Sequence, residues 1–269
     1  MRIVIEMKLL KNIFNERHKL LGLREFLAYV LSRNDKKVRF KGIASKIGSK
    51  DRVFILGNGP SLNQHDMNLL KGEDYFLCNH AERMKWTRDI VHPYYIATDP
   101  FVVKGLSGGE IHLKAQNYFI DESLCPGLSE NFISKSSIFW CRSASGGSIS
   151  RGLTKTPWVS LPGGSTVLIS AAQVAVNLGY KNVYILGCDL NYSGDVMYSY
   201  DKIAASPNMR KSDRSAMVKK TNLAFDRIAR EAMKRGVLIA NATPGGNLNS
   251  LPRVSFEGLF SEEKIAVHN

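Results

Sequence analysis

What most constrains this chain is the recurrence, from residue 52 onward, of short apolar runs cut off by small or polar residues. They fall at Arg52–Leu56, Tyr75–Cys78, Tyr94–Thr98, 117–120, 137–141, Asn182–Leu186 and Val237–Asn241. Runs of this length and composition read as strands. Between them stand segments of helical character: about Asn63 to Leu70, a strongly apolar stretch Thr166–Leu178, and an amphipathic stretch Ser215–Arg235. Gly179 and Gly236 stand where helix C-cap residues belong. Residues 142–164, rich in Gly and Ser, read as a loop. This alternation predicts an α/β fold: a Rossmann-like, mostly parallel sheet with helices on both faces. In such sheets ligands bind beyond the carboxyl ends of the strands.

The predicted strand ends are where polar chemistry collects. The first run ends in Gly57-Asn58-Gly59-Pro60-Ser61, the second in Asn79-His80 and the third in Asp99-Pro100. The run after the apolar helix ends in Asp189-Leu190-Asn191-Tyr192, and the last in Asn241-Ala242-Thr243-Pro244. Turn chemistry explains each Gly, Pro, Asn or Asp singly. It explains less well why nearly every strand should end in a short hydrogen-bonding group. In the first turn, Gly57 and Gly59 let backbone approach a ligand without a Cβ. Pro60 starts a turn or helix, whose first amides would face an anion. Asn58 offers a donor and an acceptor to a base, ribose or phosphate. The spacing is neither the GxGxxG dinucleotide fingerprint nor the GxxxxGK[ST] P-loop. Asp189 reads either as a ligand of a ribose or magnesium ion, or as a cap on the turn behind it.

Charge is unevenly placed. Residues 1–50 hold 13 Lys and Arg against 4 Asp and Glu, an excess of nine cations out of the chain's net +13. Residues 7–32 read as a basic amphipathic helix and 33–50 as a basic linker. The domain division expected is therefore 1–50, helix and linker, and 51–269, the catalytic domain. The basic segment either lies on an anionic membrane surface through residues 7–41 or packs on the protein's own core. Few aromatics interleave with the cations and no nucleic-acid motif is present, which weighs against nucleic acid. No apolar stretch approaches the roughly 20 residues of a membrane-spanning helix, and no signal-peptide pattern is read. The four cysteines, Cys78, Cys125, Cys141 and Cys188, form no CxxC pair or metal spacing. A reduced cytoplasmic protein, peripheral on the inner membrane face if the helix binds lipid, is the expectation.

The stretch ILGNGPSL, 55–62, resembles the opening motif of the bacterial sialyltransferases of glycosyltransferase family 42. The same motif occurs in the broader DUF115-type group, which includes flagellin-glycosylation accessory factors and pterin pyrophosphokinases. LGYKNVYILGCDLNYSGDVMYSYD, 178–201, resembles the family's second motif. CNH at 78–80 is similar to its Cys-Asn pair, and TDP at 98–100 falls where an Asn-Pro stands. The resemblance covers roughly residues 52–245. It implies a metal-independent, inverting transferase that takes a sialic-acid-like (nonulosonic) sugar from a CMP-activated donor. The acceptor would be a surface glycan or a lipid-linked sugar of lipopolysaccharide or capsule, and no cofactor would be needed. By the same resemblance Asn58 and Asn79 would contact the nucleotide-sugar. The chain from Gly163 through Gly164, Ser165 and Thr166 would sit near the cytidine or phosphate. Tyr192 and Tyr198 would hydrogen-bond the donor phosphate and help CMP depart, a task for neutral donors aimed at developing charge.

The sequence also departs from the family. The loop 199–215, SYDKIAASPNMRKSDRS, lacks the family's histidine base, and Gly163 or Gly164 replaces an arginine. Asp99 is the first substitute for the base and His80 the second. Two other readings stay open. One is a pterin pyrophosphokinase using ATP and magnesium, with Asp99 and Asp189 as metal ligands. The other is a non-catalytic sugar- or nucleotide-binding accessory protein. The tail 241–260, with Pro-Gly-Gly and Pro-Arg-Val, is similar to the ends of many DUF115-type proteins.

Overall fold

Seven strands align in one sheet, all paired in parallel, in the order β5-β4-β3-β2-β1-β8-β9. They are β1 (Arg52–Leu56), β2 (Tyr75–Cys78), β3 (Val91–Ala97), β4 (Lys114–Asp121), β5 (Ile138–Cys141), β8 (Asn182–Leu186) and β9 (Leu238–Asn241). Two short strands, β6 (Ser143–Ala144) and β7 (Leu161–Pro162), form a separate parallel pair. The computed structural model describes residues 23–47, 50–104, 106–135, 137–144, 152–162, 165–191, 198–200 and 211–261. Three long helices stand among them: α1 (Leu23–Ala44), α2 (Val167–Leu178) and α3 (Lys211–Met233).

Parallel strands covered on both faces must be apolar at successive positions, because alternate side chains enter opposite cores. Val53 and Ile55 enter one core with Phe76, Ile96 and Phe119; Phe54 and Leu56 enter the other with Leu77, Tyr95 and Ile120. The two faces are covered differently. The first is covered by α2 and α3: Leu168, Ala172 and Ala175 of α2 and Phe225, Ile228 and Ala232 of α3 are buried there. Thr166 caps α2, its Oγ1 accepting from Leu168 N at 3.4 Å. Gly179 closes the helix at φ +112°, a backbone setting that glycine adopts without a Cβ clash. The second face carries short helical turns and the C-terminal Phe256 and Phe260.

One predicted helix is absent. The stretch from Asn63 to Leu70 forms two 3-10 turns instead, Pro60–Gln64 and Met67–Leu70. Asp66 interrupts the pair: its side chain accepts from Asn68 N at 3.0 Å and starts a new turn where a helix would have continued. The helical segment read over 7–32 is described only from Leu23, and the helix runs on through Ala44, where a linker was expected. The chain divides into residues 1–39 and 40–269. Phe40 opens the second unit, fully buried and packed edge-on against Phe139 at 5.5 Å.

A polar chain is built in at the amino ends of the strands. Lys50 Nζ bonds Asp74 Oδ1 at 2.9 Å, Tyr180 OH donates to Asp74 Oδ2 at 2.7 Å, and the Tyr94 and Tyr180 hydroxyls lie 2.9 Å apart. Burial pushes the Tyr94 phenol up to about 12. Asp74, Tyr180 and Tyr94 thus satisfy one another within this network, as an apolar surrounding requires.

Candidate functional site

The sheet order creates the site. From β1 the chain moves across β2, β3, β4 and β5 over the second face, then returns over the first face through α2 to β8 on the other side of β1. Neighbouring strands whose connections leave in opposite directions open a crevice at their carboxyl ends. Here that crevice lies between β1 and β8, where Gly57-Asn58-Gly59-Pro60-Ser61 meets Gly187-Cys188-Asp189.

The two turns are locked together. Gly57 N donates to Leu186 O at 2.8 Å and Gly59 N to Gly187 O at 3.0 Å. A Cβ on Gly57 would stand 2.4 Å from Gly187 O, and one on Gly59 would stand 1.8 Å from Asp189 Oδ2. Gly59 has an ordinary φ of −69°, so its requirement is for space. Ser61 donates to Asp189 twice, from Oγ to Oδ2 at 2.8 Å and from N to Oδ1 at 3.2 Å. Burial raises the Asp189 pKa and the Ser61 bonds oppose that rise. Asp189 therefore acts as the cap on the turn. The turn after Pro60 is a 3-10 turn whose amides are used internally: Ser61 N by Asp189 and Leu62 N by Gly59 O. The expected row of amides facing an anion at this point is not formed. The first turn of α2 lies close by, Leu168 Cδ1 standing 3.3 Å from where a Gly57 Cβ would be.

Asn58 stands at the centre. Its Nδ2 donates to Cys78 O at 3.1 Å and its carbonyl accepts from Ser199 N at 2.8 Å. Its Oδ1 is buried and has no partner among the described residues. A buried acceptor left empty in this way is costly unless a ligand donor completes it. The Ser199 bond draws in Tyr198, whose ring stacks on Tyr200 at 5.3 Å and 2°. Arg83 lies over the Tyr200 ring at 5.1 Å.

Asn79 follows β2 with φ +48°, a left-handed setting rare for a residue with a Cβ. Its Oδ1 accepts from Thr98 N at 3.3 Å and its carbonyl from Tyr95 OH at 2.6 Å, so it joins the ends of β2 and β3. His80 and Asp99 are both half-buried there. Burial and the Arg83 charge hold the His80 pKa below the usual imidazole value, and the Asp99 charge opposes them. The lowering favours the neutral imidazole. Ser165 and Thr166 have partners of their own: Ser165 Oγ lies 2.5 Å from Thr221 Oγ1, and Thr166 caps α2. Gly164 and Tyr192, expected to touch the donor, lie outside the described residues.

Two features went unread in the sequence. The first is the support given by the tail. Arg253 donates to the carbonyls of Thr243 at 3.0 Å, Gly245 at 2.6 Å and Gly246 at 3.1 Å. The loop so held bonds the β8 turn: Asn247 N to Asp189 O at 2.8 Å, Asn247 Nδ2 to Leu190 O at 3.0 Å, and Cys188 N to Thr243 Oγ1 at 3.1 Å. The Pro-Gly-Gly and Pro-Arg pairs were its visible signal. The second is Glu82, half-buried, with Oε2 buried and unpartnered among the described residues and its pKa raised by burial. It lines a cleft of about 720 Å3 with Asn63, Trp86 and Tyr200. Among the described residues no three His, Cys, Asp or Glu side chains gather as a metal site, and no helix is long and apolar enough to cross a membrane.

Fold and crevice together define an α/β protein with an open crevice at the switch point of a parallel sheet. No family model and no curated protein matches the sequence. Among solved structures it is similar to the sialyltransferase CstII from Campylobacter jejuni in complex with the substrate analogue CMP-3FNeuAc. That match has 14% identity over 76% of this chain and 86% of that one, at a TM-score of 0.42. The same enzyme with cytidine-5'-monophosphate matches at 16% identity over 75% and 84%, with a TM-score of 0.43. Sialyltransferase CST-II with a trisaccharide acceptor and CMP matches at 15% over 76% and 86%, with a TM-score of 0.41.

Proposed function

We propose that this protein is a glycosyltransferase that moves a sialic-acid-like sugar from a CMP-activated donor to a surface glycan or lipid-linked acceptor. The observation that carries the reading is Asn58. It sits at the switch point, its amide is anchored on Cys78 O, and its buried Oδ1 waits for a donor such as a cytosine amine or ribose hydroxyl. The motifs 55–62 and 178–201 support the same chemistry, and their described stretches Gly57–Ser61 and Gly187–Asp189 meet at this crevice. His80, with Asp99 beside it, would take the proton of the acceptor hydroxyl. The acceptor oxygen would attack the anomeric carbon, the bond to phosphate would break with inversion, and CMP would leave. Tyr198, with Tyr192, would hydrogen-bond the phosphate as charge builds on it. The acceptor would enter by the cleft of Glu82, Trp86 and Tyr200. No metal or other cofactor takes part. The work would be done at the cytoplasmic face of the membrane, toward lipopolysaccharide or capsule.

The pyrophosphokinase reading has no observation in its favour, since Asp189, which it needs as a metal ligand, has both oxygens bonded to Ser61. A thermal-shift panel of CMP, CDP, UDP, GDP and ATP, each with EDTA and with magnesium, tests the proposal. A ligand that binds only the folded state raises the melting temperature. Stabilisation by CMP that survives EDTA is expected. Stabilisation by ATP with magnesium alone would overturn it.

A further inference from the structure

At the amino ends of the strands, opposite Asn58, lies a second cavity of about 660 Å3. Ile43, Ile47, Met67, Trp86 and Pro93 line it together with the polar Asn68, Gln116 and Asn117, and the exposed Lys46, Lys50 and Lys71 line it too. The two acids in the lining are already neutralised. Glu73 pairs with Arg52 at 2.6 Å, and Asp74 is held by Lys50 and Tyr180. Lys50 Nζ spends one donor on Asp74 and a second on Gly72 O at 3.0 Å, which leaves a third of its three. Lys46 and Lys71 have no ion-pair partner among the described residues. Lys46 and Lys71 therefore present uncompensated positive charge beside a lining of mixed polar and apolar side chains. Beside the lysines stand Ile90 and Val91, 46% and 58% exposed, two of the few large apolar side chains turned to water. Apart from Trp86, which also lines the proposed acceptor cleft, nothing in the chemistry proposed above uses these residues.

A soluble anion would be served by the lysines alone. Cations and two exposed aliphatic side chains lining one cavity match the boundary of an anionic bilayer, where charge meets headgroups and aliphatic groups meet acyl chains. We propose that this cavity is a binding site for the headgroup of an anionic phospholipid, with Lys46, Lys50 and Lys71 on the phosphate and Ile90 and Val91 entering the acyl boundary. It is a second membrane contact, separate from the basic segment 7–41 and independent of the transferase reading.

The test is vesicle flotation of the full chain on phosphatidylcholine, with and without phosphatidylglycerol. Binding should require phosphatidylglycerol. Lys46→Gln with Lys71→Gln should weaken it roughly 30-fold, two cations near a charged surface at typical strength. Ile90→Ser with Val91→Ser should weaken it as well, and both double variants should melt near the parent. Lys219→Gln with Lys220→Gln on the exposed face of α3 should change little. An equal loss from both lysine pairs, or no loss from the first, would overturn the proposal. So would a rise in melting temperature with glycerol 3-phosphate, dependent on Lys46 and Lys71, in a chain that does not float with vesicles.

Discussion

Both oxygens of the Asp189 carboxylate accept from the same residue, Ser61, across 128 positions of sequence. The pair ties the turn after β1 to the turn after β8 and so sets the width of the crevice. Ser61→Ala would leave Asp189 Oδ2 without its hydroxyl, at a cost of about 1–3 kcal/mol. The measurement is urea denaturation of Ser61→Ala, Asp189→Ala and the double variant. The double variant should lose clearly less than the two singles combined, because each single already breaks the shared hydroxyl bond. Simple additivity would show that the two residues do not support one another.

Gly59→Ala isolates close approach from backbone freedom, because the φ of Gly59 suits any residue. The added methyl meets Asp189 Oδ2 and Gly187 O, and crowding of a tight site costs about 1–3 kcal/mol. Part of that loss should return in Gly59→Ala with Asp189→Ala, and the remainder belongs to Gly187 O, which cannot be removed. A Gly59→Ala chain as stable as the parent would mean that the turns stand further apart.

Asn58→Ala should weaken CMP binding about tenfold, the loss of one or two hydrogen bonds. Asn58→Asp should do worse, since it takes the donor from Cys78 O and places a negative charge near a phosphate. Isothermal titration with CMP gives both numbers. Unchanged affinity in both variants would remove Asn58 from the donor site.

His92 offers a pH signature away from the site. It is fully buried, with Nδ1 2.7 Å from Tyr75 OH and Nε2 2.8 Å from Thr87 O. Burial lowers its pKa, and the Thr87 bond opposes this only in part. His80 is shifted in the same direction. A histidine with a lowered folded pKa binds fewer protons folded than unfolded as pH falls through its unfolded value of about 6.5. Stability is then complete above that value and declines on acidification below it. Urea midpoints measured across this range should fall toward acid, and His92→Gln should flatten the slope.

The strands were legible because parallel strands buried on both faces must be apolar at every position, and the chain spells them so at Val53–Leu56 and Val183–Leu186. The end of α2 was legible at Gly179 for an equally local reason. The crevice itself was half legible. Gly57, Asn58 and Asn79 advertise themselves at strand ends, but the use of Asp189 as a cap on Ser61 depends on strand order. So does the bracing of that turn by Asn247 and Arg253. The helix read over 63–70 failed because Asp66 captures a nearby amide, a choice that apolar spacing does not reveal. Glu82 was missed because a lone carboxylate carries no pattern until burial strips its oxygen of partners.

His80 and Asp99 can be told apart by kinetics with a CMP-activated nonulosonic donor. In the proposed reaction His80 is the base and Asp99 the charge that raises its pKa against burial and Arg83. Asp99→Asn removes that charge, so the pKa of His80 falls further. The acid limb of the kcat/KM profile, which reports the free enzyme's essential base, should then move to lower pH while much of the plateau rate survives. His80→Asn should lower the rate by about 100-fold or more over the whole profile, the usual contribution of a positioned base. If Asp99→Asn instead abolishes turnover at every pH, and His80→Asn only tilts the profile, the carboxylate takes the proton and the imidazole serves to position it. Loss of activity in neither variant would move the base out of this pair, with Glu82 across the cleft as the next group to change.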